Sequence, residues 1–153
     1  MVKYLFDDVI VVNQLDPGGK KSNKVSRIVA RSEQLGMAVE LDVNAEMYPV
    51  YVGDKLKMVL APTLNLDGTP VTNFVSLARG KSLADDFDYV MHGTLYDITK
   101  KGSEPNIKQV IHVSFGGLLL ELEGDLPKLA IFKRDQTMFL LLKKVQKSLT
   151  FKK

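Results

Sequence analysis

The sequence alternates apolar and polar residues with a period of two, and this pattern constrains the fold more than any other feature. Between Met37 and Asn44, four apolar side chains alternate with four neighbours that are mostly polar. Such a segment forms a strand with one buried and one exposed face, because successive side chains of an extended chain point to opposite sides. No apolar repeat of 3.6 residues runs for more than two turns, so the sequence predicts an all-β protein.

Six further segments have strand-like patterns, and short turn sequences separate them. Asp16-Pro17-Gly18-Gly19 is one such turn, since proline fixes φ and glycine tolerates positive φ. Gly116 and Gly117 lie inside the longest segment, where a glycine pair indicates a bulge or a sharp bend of one continuous strand. Several strands of this length are typical of a barrel or a sandwich. The six segments are Tyr4 to Val12, Lys24 to Ser32, Lys55 to Ala61, Phe87 to Ile98, Lys108 to Glu123 and Thr137 to Val145.

Length and charge predict one domain, residues 1–145, followed by a basic tail, residues 146–153. A chain of 153 residues has an ordinary size for a single domain. The stretch from Pro62 to Asp86 is predicted to be one long irregular loop. Residues 128–153 hold eight of the 21 basic residues and one of the 18 acidic residues. This asymmetry favours nucleic acid or an acidic partner, and a solvated tail explains it equally well.

The residues give little support for catalysis or metal binding. The chain has no cysteine, which excludes disulfides and thiolate metal sites and fits a reducing compartment. His92 and His112 lie on separate predicted strands and make no familiar zinc site. Asp86 and Asp88 could share a cation, but surface aspartates are the commoner arrangement. We therefore expect no metal, cofactor, small-molecule substrate or catalytic residue, and no membrane partner, because every apolar run is far shorter than ~20 residues.

A cluster of basic residues between positions 20 and 31 is the candidate nucleic-acid site. No acidic residue lies among them, and Arg27 and Arg31 share one face of a predicted strand. Proteins that bind single-stranded nucleic acid also use aromatic side chains for base stacking, and no aromatic residue occurs near this cluster. We expect weak, salt-dependent binding; a solvated face, or one that pairs with acidic groups of a partner, is the alternative. The cluster consists of Lys20, Lys21, Lys24, Arg27 and Arg31.

Several segments together resemble one family, the small subunit common to the nuclear RNA polymerases I, II and III, which is the eighth in size order. The resemblance runs in order and spacing from Leu5-Phe6-Asp7-Asp8 to Lys144. The stretch from Leu60 to Pro70 is most similar to the plant members. The other segments that carry the resemblance are Leu41-Asp42-Val43-Asn44, Tyr48-Pro49-Val50, Gly53-Asp54-Lys55, Tyr89-Val90-Met91-His92-Gly93, Ser114-Phe115-Gly116-Gly117-Leu118-Leu119 and Leu140-Leu141-Leu142-Lys143-Lys144.

The resemblance implies an eight-stranded antiparallel barrel of OB type, formed by residues 1–145. It also implies a non-catalytic structural subunit of a nuclear DNA-directed RNA polymerase, bound to the largest subunit and to other subunits at the periphery of the enzyme. Family members are described with a weak, sequence-independent single-stranded DNA-binding segment, which matches roughly Asp16 to Met37 here. A free-standing OB-fold protein that binds single-stranded nucleic acid is the alternative.

We expect the partner-binding surface to centre on the strand around the glycine pair. Glycine leaves the backbone uncovered, so another chain can approach and add as a strand. Phe115 is expected to be the apolar anchor, because a few desolvated residues usually supply most of the binding energy. The predicted partner-binding residues are Ser114, Phe115, Gly116, Gly117 and Leu118.

Overall fold

Eight antiparallel strands form the computed structural model, which describes residues 3–19, 22–69 and 82–146. The strands are β1 (Phe6–Leu15), β2 (Val25–Ser32), β3 (Ala38–Asn44), β4 (Lys55–Ala61), β5 (Tyr89–Lys101), β6 (Lys108–Phe115), β7 (Leu118–Asp125) and β8 (Thr137–Gln146). They close into a barrel in the order β1-β2-β3-β7-β6-β5-β8-β4. The expectation of an all-β, antiparallel, eight-stranded barrel of OB type is confirmed.

The period-two pattern places one face of each strand inside the barrel. In β3, the side chains of Val39, Leu41 and Val43 are buried, whereas Glu40 is exposed. Burial of an aliphatic side chain of this kind stabilises a fold by roughly 1.5–3 kcal/mol relative to exposure. Asp42 departs from the pattern, because it points away from the barrel interior and is nevertheless buried. A buried carboxylate needs hydrogen-bond partners, and those of Asp42 are described below.

The segment predicted as one long strand, Lys108 to Glu123, is instead the hairpin of β6 and β7. That prediction is wrong because Gly116 and Gly117 reverse the chain rather than bend it. Their φ angles are 64° and 100°, and two consecutive residues with positive φ form the tight turn that matches the twist of a two-stranded hairpin. The N–H of Gly117 also donates to the hydroxyl of Ser114 at 3.2 Å. The need for glycine was visible in the sequence, but its structural consequence is a turn.

The connection from β4 to β5 packs against the outside of the barrel where it is described. Leu64 and Leu83 are buried against Val59 and Leu141, which belong to β4 and β8. These strand residues alternate with the inward-facing ones, so the contact forms a second apolar cluster on the outer face. Residues 70–81 of the predicted irregular loop lie outside the described residues.

Two short helical turns complete the described fold. A 3-10 helix (Leu83–Asp86) begins after Ser82, whose hydroxyl accepts from the N–H of Ala84 at 3.1 Å. The helix α1 (Leu126–Leu129) follows β7 and buries Leu129 in the main core. No helix within residues 3–19, 22–69 and 82–146 is long and apolar enough to cross a membrane. The tail beyond residue 146 lies outside the described part.

The barrel wall is incomplete at one end, beyond the turn between β6 and β7. The ladder between β3 and β7 ends at the pair Leu41 and Leu120, although β3 continues to Asn44. The ladder between β5 and β6 ends at the pair Thr94 and Ser114, although β5 begins five residues earlier, at Tyr89. At this end of the barrel the hairpin therefore stops before β3 and β5 do, which leaves a gap between β3 and β5.

Candidate functional site

A shallow groove of about 420 Å³ occupies the gap between β3 and β5. Its walls are the end of β3 with the following loop, the first residues of β5, and the turn between β6 and β7. Two apolar side chains of the groove are accessible, since Met47 is 74% and Val90 is 36% exposed. Exposed apolar groups grouped beside a concave surface are typical of a protein interaction site.

The start of β5 has a free backbone edge along this groove, because residues 89–93 pair only with β8. The N–H of Leu95 donates to the carbonyl of Gln136 at 2.8 Å, so odd-numbered residues of this stretch direct their backbone groups to that side. Backbone groups alternate in direction along an antiparallel strand. The N–H and C=O groups of Val90 and His92 therefore face the groove, where the ladders of the described chain give them no partner.

The five residues predicted to bind the partner lie at the hairpin turn that borders this groove. Phe115, Gly116 and Leu118 contribute to its lining. Phe115 is 5% exposed and belongs to the core, so it presents little apolar surface to a partner, and its role as the apolar anchor stays a prediction. Within the described chain Ser114 is paired with both β5 and β7, so this position has no free backbone edge to which another chain could add. The available edge belongs to β5, and the location of the partner surface remains a prediction.

Gly93 fixes the position of the turn relative to β5. A Cβ atom at this position would lie 2.3 Å from the carbonyl oxygen of Ser114 and 2.6 Å from a ring carbon of Phe115. Because real Cβ atoms do not approach a backbone oxygen so closely, the side-chain-free residue lets β6 end against β5. The prediction from sequence identified neither Gly93 nor the free edge before it as part of the partner surface.

Two stacked tyrosines support the side of the groove near β3. The rings of Tyr48 and Tyr89 are 5.1 Å apart with an interplanar angle of 14°. The hydroxyl of Tyr89 accepts from the N–H of Asn44 at 2.9 Å, and the hydroxyl of Tyr48 donates to Asp88 at 3.3 Å. Burial raises the pKa of both tyrosines, and the charge of Asp88 adds to the rise of the pKa of Tyr48. These contacts tie the first residues of β5 to the end of β3.

Arg27 is engaged by an acidic residue of the neighbouring strand. Its Nε and Nη2 atoms donate to the two carboxylate oxygens of Asp42 at 2.7 and 3.0 Å. These hydrogen bonds, and the charges of Asp42, Glu40 and Glu121, raise the pKa of Arg27. The cluster that lacks acidic residues in the sequence therefore acquires them from β3 and β7 in the fold. Charge available for phosphate is reduced at this position.

The other predicted nucleic-acid-binding residues differ in their surroundings. Arg31 donates from Nη1 to the carbonyl of Gly36 at 2.7 Å, in the turn between β2 and β3. Lys24 is exposed. The structure brings Arg27 and Arg31 to one face of β2, as the alternation predicts. Lys20 and Lys21 lie outside the described residues.

Comparison with known proteins connects this fold to one family. The family model "RNA polymerase Rpb8" matches residues 7–144, which includes all eight strands except the first and last few residues. This chain belongs to the Rpb8 family. The resemblance inferred from the sequence segments is thereby confirmed.

Three curated relatives of this Rpb8-family chain illustrate the range of similarity. Subunit 8B of DNA-directed RNA polymerases II, IV and V from Arabidopsis thaliana is 50% identical over 92% of this chain and 96% of its own length. Subunit rpabc3 of polymerases I, II and III from Dictyostelium discoideum is 39% identical over 94% and 99%. Subunit RPABC3 of Saccharomyces cerevisiae is 38% identical over 92% and 99%. The expected similarity to plant members agrees with the first of these.

Among the candidate metal-binding groups of this Rpb8-family chain, Asp88 and His92 have local contacts, and so does Asp85, which precedes Asp86. Asp85 accepts from the N–H of Ser82 at 2.9 Å, and Asp88 accepts from the N–H of Lys144 at 3.1 Å. The ring of His92 lies 4.5 Å from that of Phe139. No group of three or more histidines and carboxylates arranged for a metal ion occurs in the described parts of the chain.

Proposed function

We propose that this chain is a non-catalytic structural subunit of a nuclear DNA-directed RNA polymerase, where it supports assembly of the enzyme. The observation that carries the proposal is the family match over residues 7–144, together with relatives that are named as polymerase subunits. The nucleus is the compartment that this role requires. Within the described residues, the groove between β3 and β5 offers a surface to another chain.

The partner surface in this proposal is the groove beside the β6–β7 turn, and its partner is the largest polymerase subunit. An extended segment of that subunit pairs with the backbone of Val90 and His92, as in other complexes formed by strand addition. Leu118 and Met47 supply apolar contacts on the opposite sides. The predicted residues Ser114 to Leu118 thus form the rim of the site, while β5 supplies the hydrogen bonds.

Co-expression with the largest subunit tests this arrangement through two variants. Val90→Pro removes one N–H that faces the groove, without removing a donor from the β5–β8 ladder. Leu118→Glu places a charge on the apolar rim. Both variants are expected to lose at least about fivefold in captured partner, since unpaired buried polar groups and charges each cost more than about 1 kcal/mol.

Matched controls separate loss of the surface from loss of the fold. Val90→Thr keeps the N–H and the β-branched shape, and Ile131→Glu places the same charge at a 50% exposed residue outside the groove lining. Both controls should assemble normally. If the two groove variants fold and assemble as well as these controls, the partner does not use the groove.

Single-stranded DNA remains a weak, secondary ligand in this proposal. Lys24 is exposed, whereas Arg27 and Arg31 already have oxygen partners within the chain. Binding through such a face depends on phosphate charge and fades as salt rises.

A further inference from the structure

Asp42 carries the last connection between β3 and β7 before the wall opens. The backbone ladder ends at Leu41 and Leu120. At the next position the N–H of Leu119 donates to the Oδ2 atom of Asp42 at 3.0 Å. The carboxylate therefore takes the place of a backbone carbonyl and extends the contact between the two strands by one residue.

Arg27 holds this carboxylate from the other side. It donates to both oxygens of Asp42, so Oδ2 accepts from Arg27 and from Leu119 at the same time. The side chain of Asp42 is 8% exposed and that of Arg27 is 32% exposed. A carboxylate this buried is costly without a paired charge. The position of the carboxylate therefore depends on the guanidinium.

The hydrogen bond to Leu119 bears directly on the groove. Leu119 is paired with Ser114 across the hairpin, and the hydroxyl of Ser114 accepts from the N–H of Gly117. Leu118 and Gly116 belong to the lining of the groove, opposite Asn44 and Met47. Asp42 thus sets the point at which the hairpin turn separates from β3.

We propose that Arg27 is a positioning residue for the partner groove: through Asp42 it fixes the β6–β7 turn against β3, and contact with nucleic acid is not its main role. The assembly consequence rests on the proposed function of the groove. The local part of the proposal, from Arg27 to the amide of Leu119, stands on the hydrogen bonds alone.

Arg31 provides a matched control, because it lies on the same face of β2 and bonds to Gly36 rather than to a group at the groove. Arg27→Gln and Arg31→Gln remove the same charge from neighbouring outward positions. Arg27→Lys restores the charge and one donor, but not the paired geometry of the guanidinium.

Native-state amide hydrogen exchange tests whether Arg27, through Asp42, holds the amide of Leu119 in place. Arg27→Gln is expected to speed exchange of the Leu119 amide by about tenfold relative to that of Leu141 in β8, because the acceptor loses its fixed position. Arg31→Gln should leave this ratio within about twofold of the parent, and Arg27→Lys should fall between the two. An unchanged ratio in Arg27→Gln, or an equal change in Arg31→Gln, overturns the proposal.

Capture of the largest subunit and binding of single-stranded DNA complete the test. Arg27→Gln should weaken capture more than Arg31→Gln, while the two should reduce DNA affinity to a similar, small degree. If Arg27→Gln captures normally while Val90→Pro does not, the positioning role is overturned and the groove stands. If neither Val90→Pro nor Leu118→Glu affects capture, the proposed partner groove fails, and the Leu119 exchange still decides the local role of Arg27.

Discussion

The cationic face of β2 and the groove beside β5 show opposite relations between sequence and structure. The β2 face, by which we mean Arg27 and Arg31 of β2 with Lys24 just before the strand, is basic and has no acidic residue nearby in the sequence, yet Arg27 is paired with a carboxylate from β3. The start of β5 resembles an ordinary strand in the sequence, yet its backbone at Val90 and His92 faces a gap. A sequence displays charges directly, but it does not display which groups meet them or where a neighbouring strand stops.

The largest effect is expected at the turn that ends the hairpin. Gly116→Val together with Gly117→Val should destabilise the fold by about 1–3 kcal/mol at each position, because both residues have positive φ. A Cβ atom added to either glycine would have no heavy atom within 4 Å beyond the adjacent residues of the chain, so the cost comes from the backbone conformation rather than from a clash with another strand. Chemical denaturation of the double variant measures the loss.

Two single variants sharpen this prediction. Gly116→Asn should cost less than Gly116→Val, because asparagine adopts positive φ more readily than a β-branched residue. A double valine variant as stable as the parent would mean that the positive φ angles of this turn are not what ends the hairpin before β3 and β5 do. The explanation of the groove by an early end of the hairpin would then no longer hold.

The sequence allowed much of this barrel to be predicted, and the limits have physical causes. The alternation in β3 identified its inward side chains correctly, because a period of two survives whichever strands become neighbours. The segment from Lys108 to Glu123 was not divided correctly, because the same glycine pair is compatible with a bend or a turn. Because of this ambiguity, the sequence did not show where β6 ends. It therefore did not show that the first residues of β5 have a free backbone edge.

The sequence did not indicate the surroundings of the two predicted surfaces, for two different physical reasons. The basic cluster has no acidic residue within its own segment, whereas Asp42 is fifteen positions from Arg27 and becomes its partner through strand pairing. Phe115, the predicted apolar anchor beside the glycine pair, points toward the core because of the alternation in β6. The pairing of Arg27 with Asp42 depends on which strands become neighbours, which periodicity within one strand does not specify. The burial of Phe115 follows the periodicity of β6 itself.

A smaller effect is expected for nucleic acid on the β2 face. Binding of a single-stranded oligonucleotide should be weak at low salt and should fade by physiological salt, because it depends on phosphate contacts without stacking. Removing the charge of Lys24 should weaken this binding more than removing the charge of Arg27. Lys24 is exposed, whereas the guanidinium of Arg27 already donates to Asp42. Fluorescence anisotropy at several salt concentrations measures the dependence. Tight binding at physiological salt that survives removal of all five predicted charges would contradict this prediction, because the oligonucleotide would then bind without the basic cluster.

The smallest effect is expected at the tyrosine pair beside the groove. Burial is the main cause that raises the pKa of Tyr48, with Asp88 adding to it. The folded state therefore favours the neutral phenol, and this contribution to stability is present below the ordinary tyrosine pKa of 10.0 and is lost as the pH rises above it. Tyr48→Phe keeps the ring and removes the ionisable group, so its stability should decline less steeply above that pH.

The difference in phenolate absorbance between the parent and Tyr48→Phe isolates the titration of this one residue. The raised pKa should persist at high salt, because desolvation is not screened by ions, whereas DNA binding on the β2 face should disappear under the same conditions. A Tyr48 titration that moves back to the ordinary value in high salt would show that charge, rather than burial, controls this side of the groove. Charge interactions that salt screens would then control both regions. The free backbone edge of β5 would be the one remaining difference between the groove and the β2 face within the described chain.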